Sequence, residues 1–428
     1  MSDAKLSLKV IINKQNTKVL FAEADSDFTD VLLSFLTLPL GKIARVLDKQ
    51  YGDEAPVFGS LTTLYKGLAN LDSAHFWTEG GKQMLLDPRS SFHDTQPIKY
   101  FSCENMTCKT SRLTMSIGMY YGTAICRNCG EQLKREIPVR DSASQAADGD
   151  GGVFTISLAT FVISDDLQIL PNVTASVVQI LSYLGISDVE GAVVRNVSFG
   201  INEIKDLLKW SLLSRTPLTN LILNKENISS AFATAMGMSS PRIEKVWDSN
   251  SRAMTLKVIV RKSTREFLFA EADEVFADFL FSLLTVPLGG VGWLLGCSTD
   301  LKNIDNLYRS VANMNGNKYM KQNAKAMLLK PKLPYGYASE NRILPLFEQE
   351  APFLYYYKGN ILFNEYLGRP YTRRKGNYVK GPRMFMITDD LTVTPLCTAS
   401  GISMFSDLKI PLSDIHEMQL QIEFEEVI

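Results

Sequence analysis

Residues 6–12 (LSLKVII) and 18–24 (KVLFAEA) alternate apolar and polar side chains, with a polar Gln-Asn-Thr stretch between them. A period of two predicts a β-hairpin with one buried face. Asp25 follows as a helix cap, and Phe28, Val31, Leu32, Phe35 and Leu36 then recur at helical spacing until Pro39 and Gly41 end the run. Further on, 153–163 (VFTISLATFVI) and a strand around Leu167 to Leu170 predict a second antiparallel pair. A helix over 174–185, a strand over 191–199 and a helix over 201–214 follow. The last of these carries Ile201, Ile204, Leu207, Leu208 and Leu212 on one face. Hairpins with helices gathered beside them predict an antiparallel α+β domain and argue against a doubly wound parallel sheet.

The same pattern then returns. Residues 6–42 align without a gap to 254–290, and twenty of the thirty-seven positions are identical. The identities include polar positions, Glu23/Glu271, Asp25/Asp273, Asp30/Asp278 and Thr37/Thr285, which amphipathic patterning does not require. LTTLYKGLAN (61–70) matches IDNLYRSVAN (304–313), QMLLDP (83–88) matches AMLLKP (326–331), and FVISDDLQILP (161–171) matches FMITDDLTVTP (385–395). The expectation is a tandem duplication of one α+β module. The first copy spans 1–237 with an insert at about 101–136, the joint is 238–252, and the second copy spans 253–428. The polar stretch 140–152 reads as a loop. The second copy stops at EFEEVI, before any counterpart of the 201–214 helix, so its edge near Ile422, Phe424 and Val427 is the expected partner surface.

Composition narrows the classes. Forty-five basic residues against forty-six acidic ones give no long-range attraction to nucleic acid or an anionic membrane. The N-terminus offers no secretory signal. Residues 279–297 run nineteen positions without a charge, but Pro287, Gly289 and Gly290 interrupt them, and the matching stretch of the first copy carries Lys42, Arg45 and Asp48. Two buried helices with a Pro-Gly joint are predicted there in place of a membrane span.

The insert holds the clearest chemistry. Cys103-x4-Cys108 and Cys126-Arg-Asn-Cys129-Gly130 are two thiol pairs separated by seventeen residues, the form of a zinc ribbon. Short Cys-x(2 to 4)-Cys turns offer two sulfurs each, and four sulfurs complete a tetrahedral structural site with no open position. Lys109, Arg112, Arg127, Lys134 and Arg135 lie close in sequence to offset its charge. Two disulfides or buried free thiols are the alternatives. Cys297 and Cys397 stand apart, which suits a reducing compartment, cytoplasm or nucleus.

Other candidates are weaker. The pairs Glu23/Asp25, Glu271/Asp273, Asp165/Asp166 and Asp389/Asp390 suit a cation or acid–base work, but cap and turn chemistry accounts for them more simply. His75, His93 and His416 do not recur between the copies, and no nucleophile or phosphate-binding motif appears. The run 368–383 carries Arg369, Arg373, Arg374, Lys375, Lys380 and Arg383 with Tyr371 and Tyr378, and reads as a solvated loop or a strand-binding surface for nucleic acid.

FAEADSDF with LLSFLTLPLG, the CRNCG knuckle, ISDDLQILP and NEIKDLLKWSLLSRTPLTNLIL together resemble the plant family catalogued as domain of unknown function 674, over nearly the whole chain. The resemblance implies a plant protein and a fold, without an activity. The expected role is a non-enzymatic interaction or scaffold protein with a structural zinc and an unidentified protein partner. The alternatives are a nucleic-acid-binding protein using the ribbon and 368–383, or an enzyme with an unrecognised site.

Overall fold

The computed structural model describes residues 5–92, 99–105, 107–110, 117–126, 128–137, 153–157, 159–172, 177–223, 254–338, 344–350, 353–358, 361–366 and 377–422. In chain order the elements begin with strands Leu6–Ile12 (β1) and Val19–Ala24 (β2) and helices Ser26–Ser34 (α1), Leu40–Tyr51 (α2), Gly59–Asn70 (α3) and Glu79–Leu86 (α4). A small group follows: Tyr100–Cys103 (β3), Thr107–Thr110 (α5), Ile117–Gly118 (β4) and Leu133–Ile137 (β5). Phe161–Ser164 (β6), Ile169–Pro171 (β7), Val177–Tyr183 (α6), Val193–Phe199 (β8), Ile201–Leu213 (α7) and Pro217–Leu223 (α8) complete the first half. The second half runs Met254–Arg261 (β9), Phe267–Asp273 (β10), Glu274–Leu283 (α9), Leu288–Leu294 (α10), Lys302–Asn313 (α11), Gly316–Tyr319 (α12) and Ala324–Leu329 (α13). It ends with Phe353–Lys358 (β11), Ile361–Tyr366 (β12), Met384–Ile387 (β13), Val393–Pro395 (β14), Thr398–Asp407 (α14) and Ile415–Ile422 (β15). This is a mixed α+β chain with several antiparallel sheets.

The predicted local chemistry is present. The β1–β2 turn is held by Asn13, whose side-chain oxygen accepts the N–H groups of Thr17 (2.8 Å) and Lys18 (3.0 Å). Asp25 caps α1 by accepting the Phe28 N–H at 2.9 Å, and Asp273 caps α9 by accepting those of Val275 and Phe276 at 3.0 Å. The uncharged stretch 279–297 divides between α9 and α10, and no described helix is long and apolar enough to cross a membrane.

Contacts separate the chain into two units, and the units do not follow the halves of the sequence. One comprises Met1–Leu38, Ala143–Val246 and Pro287–Pro331; the other comprises Pro39–Ser142, Trp247–Val286 and Lys332–Ile428. The chain changes unit at the Pro-Leu-Gly joint of each half, Leu38-Pro39-Leu40-Gly41 and Val286-Pro287-Leu288-Gly289. Pro39 and Pro287 sit there in extended conformation, each immediately before a helix.

The first unit is built on an antiparallel sheet of order β7-β6-β2-β1-β8. Its buried face, including Leu8, Val10, Ile12 and Ala22, is covered by α1, where the Phe28 ring meets Phe199 edge-on at 5.2 Å. Helices α10–α13 of the second half pack here. The Leu288 N–H donates to Leu38 O (2.9 Å), the Asn306 amide to Asp166 O (2.8 Å), and the Ser310 hydroxyl accepts the Ile169 N–H (2.9 Å). The sequence pattern predicted a strand from 153; instead, buried Asp30 gathers the N–H groups of Phe154 and Thr155 (both 2.9 Å) and the Thr155 hydroxyl (2.8 Å). That carboxylate fixes a short bridge to the second half, in which Ile156 N–H donates to Tyr319 O (3.1 Å) and Lys321 N–H to Phe154 O (2.8 Å).

The second unit has a sheet of the same form, β14-β13-β10-β9-β15, faced by α9. Here α2–α4 of the first half pack. Leu40 N–H donates to Val286 O (2.9 Å), Gly41 N–H to Leu284 O (2.7 Å), and the Thr63 hydroxyl to Asp390 O. Asp278 takes the place Asp30 holds in the first unit, accepting the N–H groups of Tyr378 (2.6 Å) and Val379 (2.9 Å). The bridge it fixes joins Trp77 N–H to Tyr378 O (3.0 Å) and Lys380 N–H to His75 O (2.8 Å). Glycine is needed at both joints. A Cβ on Gly41 would lie 3.0 Å from the carbonyls of Leu284 and Leu85, and one on Gly289 would lie 2.7 Å from that of Leu328.

Candidate metal centre

The four cysteines of the insert belong to the second unit, on a three-stranded sheet of order β4-β3-β5. Cys103 ends β3. Asn105 shapes the first knuckle by accepting the N–H (2.9 Å) and hydroxyl (2.6 Å) of Thr107 through its side chain and the Cys108 N–H through its carbonyl (3.2 Å). The second knuckle closes where the Gly130 N–H donates to Cys126 O (2.9 Å) and the Cys126 N–H donates to Glu131 O (2.7 Å). Gly130 adopts φ 79°, a left-handed turn that a side chain would strain.

The sequence predicted that Cys103, Cys108, Cys126 and Cys129 converge, and they do. Their sulfurs all lie within 4.8 Å of one another, with Cys103 Sγ and Cys129 Sγ 3.3 Å apart. A tetrahedron of sulfurs about 2.3 Å from a zinc ion has edges of about 3.8 Å, so the cage has the right size to hold a metal. Among the described residues it is the one group of three or more His, Cys, Asp or Glu side chains close enough to share an ion. No disulfide joins them; all four are free thiols. Cys103 and Cys126 are 4% and 2% exposed, packed among Phe101, Ala124 and Leu133.

The electrostatics suit an ion. Burial, reinforced by the neighbouring thiols, pushes Cys103 up to about 12 and Cys108 up to about 11. At Cys126 burial also pulls upward, but the N–H groups of Cys129 and Asn128 and the other thiols outweigh it and bring the thiol down to about 7. The knuckle N–H groups therefore stabilise a thiolate before any cation arrives. Of the basic residues expected to offset the cage, Arg135 donates to the Ser102 hydroxyl (2.8 Å) beside Cys103, and Lys134 lies over the Tyr121 ring at 6.0 Å. Arg112 and Arg127 lie outside the described residues.

The acidic pairs serve structure. Glu23 pairs with Lys9 (2.8 Å) and Glu271 with Lys257 (3.5 Å). Asp390 shapes its turn by accepting the Thr388 hydroxyl (2.6 Å) and Thr392 N–H (3.1 Å). Asp166 accepts the Ser164 hydroxyl (2.6 Å) and pairs with Lys302 (3.0 Å), while Asp165 is buried and accepts the N–H (2.8 Å) and hydroxyl (2.7 Å) of Thr219. His75 meets Arg383 (2.9 Å) through its Nδ1, and His93 lies outside the described residues. So do residues 368–376 of the basic run, including Tyr371. Tyr378, the other tyrosine offered for base stacking, is 1% exposed and part of the core.

Sequence reasoning missed how the cysteine sheet is seated. The Tyr120 hydroxyl donates to Tyr335 O (3.0 Å), its ring meets Tyr337 edge-on at 5.5 Å, and the Arg89 guanidinium lies 5.1 Å from its centroid. No motif marks these tyrosines, because residues 332–338 and the insert have no counterpart in each other's half.

No curated protein and no solved structure matches the chain. A family model described as protein of unknown function (DUF674) matches residues 2–425, which takes in both five-stranded sheets and the cysteine insert. The chain therefore belongs to the DUF674 family along essentially its whole length.

Proposed function

We propose that the protein is a non-enzymatic interaction protein whose cysteine insert holds one structural zinc ion. The observation that carries this is the convergence of four free thiols, two of them buried, within 4.8 Å. An all-sulfur set selects a soft cation such as zinc over magnesium or calcium, and four thiolates leave no open position for substrate or water. Free thiols on every described cysteine agree with a reducing compartment, the cytoplasm or nucleus. Metal analysis of the purified chain is expected to find about one zinc per molecule, lost in Cys126→Ser. A metal-free protein, or one with two disulfides in the insert, would sink the reading.

The architecture that carries the site is read as an internal duplication. It is supported by the shared strand order of the two five-stranded sheets, by the caps Asp25 and Asp273, and by the buried carboxylates Asp30 and Asp278 in matching roles. On this reading the helices that follow each Pro-Leu-Gly joint have been exchanged between the copies.

A further inference from the structure

The insert is encoded in the first half of the chain, yet it belongs to the unit whose large sheet comes from the second half. Tyr120 is the anchor. Its hydroxyl reaches the carbonyl of Tyr335 and its ring abuts Tyr337, both from the second half. Tyr337 is 1% exposed, and its own carbonyl accepts the Tyr378 hydroxyl at 3.1 Å. Tyr378 in turn donates its N–H to Asp278 on α9, beneath the sheet. From the first half, the Arg89 N–H donates to the Tyr337 hydroxyl (3.1 Å). A Cβ on Gly80 would collide with the Tyr121 carbonyl and the Thr123 methyl, so the turn following Tyr120 rests directly on the start of α4. The cage core includes Ala124, and its neighbour Thr123 donates its hydroxyl to Tyr120 O at 2.9 Å, so a path runs from the cysteine cage through Tyr120, Tyr337 and Tyr378 to Asp278.

We propose that the four-cysteine centre is a metal-dependent clasp on the second unit: a bound ion holds the cysteine sheet rigid, and that sheet locks α4 and the loop carrying Tyr335 and Tyr337 onto α9. The physical ground is linkage. A small sheet with a core of five residues owes its folding to the ion, and whatever packs only against the folded form loses support when the ion leaves. Exchange of the helices makes the effect cross the sequence. A metal bound by the first half stabilises strands encoded in the second, because the insert and those strands belong to one unit.

This inference rests on the zinc reading above, and the test keeps the two apart. Hydrogen exchange of the zinc-loaded full chain is compared before and after removal of the metal with 1,10-phenanthroline, with metal content measured in the same samples. Exchange in 254–286 and 377–422 is expected to rise about tenfold along with that of 99–137, while 5–38 and 193–223 change less than about twofold. In Tyr120→Phe with zinc retained, 377–422 should already exchange faster. If the metal is bound and its removal loosens 99–137 alone, or the first unit as much as the second, the clasp is wrong and the zinc site stands. A chain with no metal to remove overturns both.

Discussion

Asp165 and Asp166 are adjacent in sequence and opposite in environment. Burial pushes the Asp165 carboxyl above 3.8 despite the hydrogen bonds from Thr219 and the charge of Lys18. At Asp166 burial also acts upward, but the Ser164 hydroxyl, the Lys302 ammonium and Gln168 together hold the carboxyl below 3.8. A carboxyl depressed in the folded state contributes stability that is fully present above 3.8 and is lost as pH falls through the folded value. Asp166→Asn is therefore expected to be less stable than the parent at pH 7, with the gap closing on acidification below 3.8. Urea titrations of both proteins across that range check it, and a gap that widens as pH falls would contradict it. The Ser-Asp-Asp motif announced a turn, which the structure contains. It gave no hint that Asp165 points inward to hold α8, because a side chain's burial depends on what packs over the turn.

At the scale of elements, α7 separates what periodicity can and cannot tell. Leu207, Leu208 and Leu212 are buried as the helical spacing predicts, but Ile201, placed on the same stripe by sequence, is 65% exposed. Ile201 is the first residue of the helix, two positions after β8 ends at Phe199. Leu208→Ala should cost about 2–5 kcal/mol of first-unit stability, and Ile201→Ser no more than about 0.5 kcal/mol. Equal losses in thermal or urea unfolding would show that the whole stripe is buried after all. The partner of α7 was equally illegible. Asn303 on α11 donates to the carbonyls of Ser211 (2.9 Å) and Ser214 (2.5 Å) at its C-terminal end, a contact ninety residues distant in sequence.

At the scale of the molecule, each unit needs both halves of the chain. Helices α2–α4 pack with the sheet of the second half and α10–α13 with that of the first. A protease site placed within 238–252 should therefore sever the chain without separating it. The two pieces are expected to elute together on native gel filtration and to part only in denaturant. Fragments that separate in native buffer would refute the exchange.

The sequence by itself determined the hairpins, the aspartate caps, the Pro-Leu-Gly joints and the two cysteine knuckles, because each depends on residues a few positions apart: side-chain period, cap chemistry and knuckle spacing are local. Only the tertiary structure decided which helices cover which sheet and where the cysteine sheet docks. The matched stretches LTTLYKGLAN and IDNLYRSVAN present equivalent apolar faces, so pattern alone fits either to either sheet. Even the matched residues Asn306 and Thr63 make the same contact, each donating to the carbonyl of the second aspartate of its turn, so the choice rests on contacts without a counterpart, such as the Tyr120–Tyr337 pair, and on the path the chain takes after Pro39 and Pro287. Those are long-range packing preferences, and a repeated local pattern carries no record of them.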